Sequence, residues 1–254
     1  MSYSFLRWSC FLAALFSTSV IAAECSVQSG AQRVALLELY TSEGCSSCPP
    51  ADKWVSSLEK KGYSSDKVIP IALHVDYWDY IGWKDRFADP TFTARQHAQA
   101  ELDRSSFVYT PQVVLDGKDY RNYGSGSKFA EDVNEINHSA ARANIALTVT
   151  HDAAQYSLKV TAHGPAKSVL YLALVENGLS SDVKAGENSG TKLYHDHVVR
   201  AWLGPFFVEP SGLELQRSVA IKPEWKTANL RAVAFVQEAS GEVAQAVATP
   251  ACSS

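Results

Sequence analysis

The chain has 254 residues, 46% of them apolar, which is enough to fill the core of one large domain or two ordinary ones. Its formal net charge is −4, and no block of five or more like charges occurs. These features argue against nucleic acid and against an anionic membrane surface as partners.

Residues 1–23 have the pattern of a secretory signal peptide. Arg7 precedes the apolar run Trp8 to Phe16, and small residues end the segment at Ala23. An uncleaved anchor helix is the alternative, but the polar residues 17–19 interrupt the run well short of the roughly 20 apolar residues that a span requires. We therefore expect an exported protein, periplasmic or secreted, with no membrane insertion after signal removal.

Four cysteines remain once the signal and its Cys10 are removed, in a compartment that permits disulfides. Cys25 and Cys252 lie near the two ends of the mature chain, and chain ends often meet at the surface. The preferred pairing is Cys25 with Cys252 and Cys45 with Cys48. Two free terminal thiols are the alternative.

The first half of the chain alternates strand-like and helix-like segments, which is typical of an α/β domain. The predicted elements, in order, are a buried strand at 34–40, a helix from Ala51 closed by Gly62, a buried strand at 68–77, a helix starting at Asp89 or Thr91, a hairpin at 113–120 turning at Asp116-Gly117, and a helix from about Ser127.

From about residue 143 onward, nearly every segment alternates apolar and polar residues between turn-rich stretches. Such a pattern predicts an antiparallel, sandwich-like domain. We therefore predict an α/β domain at 24–142 followed by an all-β domain at 143–254.

The segment "ELYTSEGCSSCPPAD" places Cys45 and Cys48 between the first strand and the first helix. Two sulfurs at this spacing can bond across a tight turn, and a following helix N-terminus stabilises a thiolate. A closed four-sulfur zinc site would require a second C-x-x-C, which the sequence lacks.

The arrangement of strand, "GCSSCPP", helix and the later "YTPQVVLDG" resembles the thioredoxin-fold superfamily. Together with "HVDYWDYIGWKD", these motifs look more closely like the exported DUF1223 family, which implies a thioredoxin-like domain but no established substrate. By that resemblance, Cys45 is the exposed attacking thiolate and Cys48 the resolving thiol. Pro111 is a cis proline beside them, and Thr110 offers its backbone to an extended substrate strand.

The resemblance also implies a buried carboxylate near the cysteines, and Glu38, on the first strand, is the candidate. It could accept the proton of Cys48 during resolution of a mixed disulfide. The alternative is a carboxylate satisfied by local hydrogen bonds. The aromatic loop at 74–87 is either a groove wall over the cysteines or a packed loop.

These features predict an exported protein, a candidate thiol-disulfide oxidoreductase, that exchanges disulfides with an unknown protein thiol or disulfide partner and needs no cofactor. One alternative is a Cu(I)-binding protein that uses Cys45, Cys48 and His74, with His97 as a substitute for His74. A second alternative is a noncatalytic binding module in which the cysteine pair is a structural disulfide. His195 and His197, predicted on one face of a strand, are expected to be surface or pocket residues.

Overall fold

The computed structural model describes residues 23–252, so the predicted signal peptide lies outside the described residues except for Ala23. The helices are α1 (Pro49–Ser56), α2 (Pro90–Leu102) and α3 (Gly126–His138). The strands are β1 (Ala23–Gln28), β2 (Ala35–Thr41), β3 (Val68–His74), β4 (Gln112–Leu115), β5 (Lys118–Asp119), β6 (Asn144–His151), β7 (Gln155–His163), β8 (Val169–Glu176), β9 (Leu179–Asp182), β10 (Lys192–His195), β11 (Val198–Phe207), β12 (Leu213–Ala220), β13 (Leu230–Gln237) and β14 (Val243–Ala248).

An eight-stranded sheet with the order β14-β13-β8-β11-β3-β2-β4-β5 forms the centre of the fold. Within it, β2 pairs with β3 in parallel and with β4 in antiparallel orientation. Every residue of β2 is buried, because both faces of this part of the sheet are covered. The continuous apolar run that predicted this strand reflects that double burial.

The helices cover the two faces of the β2–β5 region unequally. Apolar residues of α1 and α3 share one core with Leu37 and Leu39 of β2. Phe92 of α2 packs on the other face with Leu36 and Tyr40. Alternate residues of β2 therefore face different helices.

A second, four-stranded sheet with the order β1-β6-β7-β12 packs on the C-terminal part of the large sheet. The core between them includes Leu147 and Leu158 from the small sheet and Leu172 and Ala234 from the large one. The two sheets thus pack face to face, and one of the two layers belongs to the central sheet. The fold as a whole is a β-rich α/β fold with several sheets and few helices.

The predicted boundary at residues 142–143 lies between α3 and β6. The central sheet nevertheless takes strands from both sides of it, since Ala72 of β3 pairs in parallel with Val198 of β11. The two predicted halves thus share one sheet, and their division at 24–142 and 143–254 stays a prediction. No alternation pattern within a strand indicates which distant strand will lie beside it.

One disulfide joins Cys25 to Cys252, and another joins Cys45 to Cys48. The preferred pairing is therefore confirmed. Within residues 23–252, no helix has both the length and the apolar character needed to cross a membrane.

The hairpin of β9 and β10 forms a separate two-stranded sheet. It comes from the second half of the chain, yet β10 packs against α1. The residues that join its two strands therefore reach the cysteine turn.

Candidate functional site

The disulfide Cys45–Cys48 lies at the N-terminus of α1. Cys48 is the residue directly before the helix, and its backbone N–H donates to the carbonyl of Cys45 at 3.2 Å, which closes a tight turn. Pro49 and Pro50 occupy the first two helical positions, where the missing N–H groups cost no intrahelical bond. The two sulfurs thus sit at the positive end of the helix dipole.

Thr110 and Pro111 lie beside this turn. The hydroxyl of Ser47 donates to the Thr110 carbonyl at 3.5 Å, and the Thr110–Pro111 peptide bond is cis, as the resemblance implied. The indole of Trp78 donates to the Thr110 hydroxyl at 2.7 Å and fixes that side chain. A groove of about 320 Å³ runs along this segment and is lined in part by Phe107, which is 56% exposed.

The cysteines themselves are buried, so the expected exposure of Cys45 is wrong for this conformation. Cys45 is 1% exposed and Cys48 is 0% exposed, although Ser46 and Ser47 between them reach solvent. The β9–β10 connection, residues 183–191, which we call the cover segment, binds the turn that carries them. No local feature of the cysteine motif could have indicated it.

Two side chains of the cover segment bind the cysteine turn directly. The amide of Asn188 donates to the carbonyls of Glu43 and Cys45, both at 2.9 Å. The backbone N–H of Ser46 donates to the Glu187 carboxylate at 2.9 Å. These bonds hold the segment over the disulfide.

Glu38 does not face the cysteines. Its position on β2 directs it to the face that α2 covers, where it accepts from Nε and Nη2 of Arg95 at 2.7 and 2.8 Å and from the Tyr40 hydroxyl at 2.9 Å. Burial alone would lower the pKa of Arg95, but the charge of Glu38 outweighs it and raises that pKa. The proposed proton transfer from Cys48 to Glu38 is therefore wrong, because the sheet separates the two groups.

A buried polar cluster lies on the same side of the sheet as the cysteines. It consists of two imidazoles and three carboxylates, all at most 6% exposed: Glu43, Asp52, His74, Asp85 and His195. Asp52 is on α1, His74 ends β3, His195 ends β10, and the other two residues are in loops. The aromatic loop at 74–87 contributes Asp85 and also Trp83, whose indole donates to Glu43 at 2.7 Å, so this loop packs into the cluster.

Hydrogen bonds orient the first imidazole of the cluster. Nδ1 of His74 lies 2.6 Å from Oδ2 of Asp85, which also accepts from the backbone N–H of Glu43 at 2.8 Å. Burial alone would raise the pKa of Asp85, but the charge and the hydrogen bond of His74 hold it below its usual value. Asp85 is therefore an ionised acceptor, and Nδ1 of His74 is the donor.

The second imidazole lies between two carboxylates. Nε2 of His195 is 3.4 Å from Oε1 of Glu43, and Nδ1 is 3.6 Å from Oδ1 of Asp52. Burial alone would lower the pKa of His195, but Asp52 and Glu43 outweigh it and raise that pKa to about 9. Charge from the two carboxylates therefore favours a cation at this position.

His74 is grouped with Asp52 and His195, not with the cysteines. One ligand atom from each of these three residues lies within 4.8 Å of the others, and this is the one such trio in the part of the chain from 23 to 252. The set of Cys45, Cys48 and His74 that the copper alternative requires is not assembled in this form. His97, its substitute, is exposed on α2.

The sequence reasoning missed the roles of Glu43, Asp52 and His195. His195 and His197 do not share a strand, because β10 ends at His195 and β11 begins at Val198. A usable signal was present, since Asp52 follows Cys48 by one helical turn and Glu43 precedes Cys45 by two residues. Their meeting with His195 depends on the β9–β10 hairpin, which no motif indicated.

Comparison with known proteins gives a family and a fold. The model of a family described as "Protein of unknown function (DUF1223)" matches residues 36–237. The crystal structure of a structural genomics target from Agrobacterium tumefaciens is similar, with 23% sequence identity, a TM-score of 0.62, and coverage of 85% of this chain and 94% of that chain. At this identity the likeness shows the fold alone. No curated protein matches the chain.

Proposed function

This chain belongs to the DUF1223 family, and we propose that it is an exported thioredoxin-like protein that exchanges disulfides through Cys45 and Cys48. The observation that carries the proposal is the position of the pair. The cysteines lie at the N-terminus of α1, with Ser47 bonded to the carbonyl of Thr110, directly before a cis proline. A helix N-terminus stabilises the thiolate that such exchange requires.

The topology around the pair supports a thioredoxin-like unit. The order β3-β2-β4-β5, with β3 parallel to β2 and the other two strands antiparallel in turn, is the arrangement expected of such a domain. So is the placement of α1 and α3 on one face and α2 on the other. In this proposal the C-terminal strands extend the sheet of that unit beyond β3.

The exchange has two balanced steps. In the dithiol form, the Cys45 thiolate attacks a sulfur of the partner's disulfide, forms a mixed disulfide and releases the partner's first thiolate. The Cys48 thiolate then attacks Sγ of Cys45 and releases the partner's second thiolate. The partner is reduced and Cys45–Cys48 is oxidised; the reverse sequence oxidises a dithiol partner.

The partner is an extended protein segment. The groove beside Thr110 and Pro111 offers aromatic surface at Phe107 and Tyr109 and backbone groups at the residues that precede β4. An extended strand that pairs with such backbone places its sulfur by main-chain hydrogen bonds. The disulfides Cys25–Cys252 and Cys45–Cys48 support an oxidising, exported location.

Exchange requires that the cover segment move. With Cys45 1% exposed, no partner sulfur can approach in line with the bond. Besides the burial of Val183, three hydrogen bonds that involve Asn188 and Glu187 hold the segment to the cysteine turn, and bonds of this strength can break transiently. Opening of the β9–β10 connection therefore precedes chemistry.

The direct test is insulin reduction or exchange with a disulfide-bonded peptide, together with mixed-disulfide trapping. Wild type should exchange, Cys45→Ser should not, and Cys48→Ser should accumulate a mixed disulfide at Cys45 because the resolving thiol is gone. The variant Cys25→Ser/Cys252→Ser is the matched control and should retain exchange. Absence of both exchange and trapping in the wild-type and Cys48→Ser proteins contradicts the proposal.

One observation favours a second candidate function, a noncatalytic binding module with a structural disulfide. Complete burial of the cysteine pair is what a permanent bridge would show. In that case the disulfide would stabilise the loop between β2 and α1 and would resist reduction by thiol pools.

A further inference from the structure

We infer that Asp52, His74 and His195 form a binding site for one first-row divalent metal ion of the Zn²⁺ type, separate from the cysteine pair. Their ligand atoms lie within 4.8 Å of one another, and each side chain is nearly fully buried. Two imidazoles and a carboxylate are a common ligand set for such ions.

Asp85 orients His74 for metal binding. Asp85 accepts from Nδ1 of His74 at 2.6 Å, so Nε2 is the nitrogen that would bind a metal ion, with release of any proton on it. Within residues 23–252, Nε2 is buried and has no hydrogen-bond partner. A carboxylate that holds the far nitrogen of a histidine is the usual outer contact of a metal-bound imidazole.

The other two ligands have matching outer contacts. Thr41 donates its hydroxyl to Oδ2 of Asp52 at 2.9 Å and leaves Oδ1 directed toward His195. Neither ring nitrogen of His195 has a hydrogen-bond partner in the described part of the chain, and neither does Oε1 of Glu43. Coordination through Nδ1 of His195, with release of the proton on that nitrogen, would let its Nε2–H donate to Glu43, so a metal ion would satisfy these orphaned atoms together.

The charge of the cluster also favours a cation. Glu43, Asp52 and Asp85 are all buried, and in the described chain no Lys or Arg nitrogen lies within 4.0 Å of them. Among residues 23–252, the two imidazoles are the basic groups in contact with these three carboxylates. A bound divalent ion would offset the unfavourable burial of so much negative charge.

The ligands of this site suit a different ion from the Cu(I) of the copper hypothesis. Cu(I) prefers thiolates, whereas imidazole with carboxylate suits Zn²⁺ and its neighbours. Three protein ligands leave a fourth position that water can take. His195 ends β10, so movement of the β9–β10 hairpin would open a path for the ion.

The test is a Zn²⁺ titration of the full chain, stripped with a chelator and with both disulfides oxidised, followed by calorimetry and by thermal unfolding. We expect one ion per chain and a higher melting temperature with Zn²⁺. His74→Gln and His195→Gln should each lower the affinity more than about 100-fold, and Asp85→Asn, which removes an outer contact, about 10- to 100-fold. The exposed His97→Gln on α2 is the matched control and should bind like wild type.

Co²⁺ bound in place of Zn²⁺ reports the type of its ligands through the visible spectrum of the wild-type protein. This readout does not depend on whether a variant folds well. Wild type should give visible d–d bands without thiolate-to-cobalt charge transfer, and Cys45→Ser/Cys48→Ser should give the same bands while it loses disulfide exchange. Failure of one proposal is thus distinguishable from failure of the other. No saturable Zn²⁺ binding by wild type, undiminished binding by His195→Gln, or thiolate charge transfer would each overturn the inference.

Discussion

Replacing Asn188 with alanine tests whether the cover segment controls access to the disulfide. The Asn188 amide donates two hydrogen bonds to the cysteine turn, to the carbonyls of Glu43 and Cys45 at 2.9 Å each. Both bonds exist while the segment is closed. In an opened form, water would replace them.

The expected magnitude follows from those two bonds. Each contributes about 1 kcal/mol to the closed form, so their loss should favour opening by about 2 kcal/mol. At 1.36 kcal/mol per factor of ten, that is about a 30-fold larger open population. If reduction passes through the open form, Asn188→Ala should be reduced by dithiothreitol about 30-fold faster.

Alkylation of the released thiols followed by mass spectrometry measures this rate at Cys45 and Cys48. The exposed Asn134→Ala on α3 is the matched control and should be reduced at the wild-type rate. Equal reduction rates in Asn188→Ala and wild type would refute the idea that the cover segment limits access. Reduction that simply tracked global unfolding in urea in both proteins would refute it as well.

Two further predictions concern contacts that lie outside the site: the ion pair of Glu38 with Arg95 and the disulfide Cys25–Cys252. Glu38→Gln leaves Arg95 as a buried, unpaired charge, so it should lower the free energy of unfolding by about 3–5 kcal/mol in urea denaturation, with disulfide exchange by the folded protein unchanged. Cys25→Ser/Cys252→Ser removes a link between residues 227 positions apart and should lower the free energy of unfolding by about 2–5 kcal/mol, again without loss of exchange.

Each of these predictions has its own contrary outcome. If Glu38→Gln destabilised the protein no more than Glu135→Gln, an exposed substitution on α3, the ion pair with Arg95 would not be an important stabilising contact. If it abolished exchange in fully folded protein, the functional separation of Glu38 from the cysteines would be wrong. Loss of exchange on removing the terminal bridge would show that the two disulfides are functionally coupled.

Local patterns predicted the elements of the first half of the chain well. The apolar run at 34–40 became β2, Asp89 caps α2 through its own side chain, and the turn at Asp116-Gly117 joins β4 to β5. In each case the determining interaction lies within a few residues of the signal. The residues needed to predict these elements are therefore close neighbours in the sequence.

The missed features depend on distant contacts. The pairing of β3 with β11 joins residues from the two predicted domains, and β9, β10 and β14 had no distinctive pattern. Because the β9–β10 hairpin folds back over α1, it both binds the turn that carries Cys45 and brings His195 to Asp52. The burial of the pair and the polar cluster beside it were consequently beyond local reasoning.

The prediction that Glu38 lies beside the cysteines failed for a different reason. The resemblance placed a carboxylate on the correct strand, but the face of a strand residue is decided by its register, and Glu38 shares its face with Leu36 and Tyr40. Carboxylates that do lie on the cysteine side include Glu43, Asp52 and Asp85. Counting alternate positions from Leu37, which faces α1, would have revealed the difference.

The reduction potential of Cys45–Cys48 decides whether this pair exchanges disulfides. It is determined by equilibration with glutathione or dithiothreitol buffers while the bridge Cys25–Cys252 stays intact. A pair that cycles between disulfide and dithiol should have a potential of about −120 to −270 mV, the range of exchange proteins. A value below about −300 mV would mark a permanent structural bond and would contradict the proposed exchange.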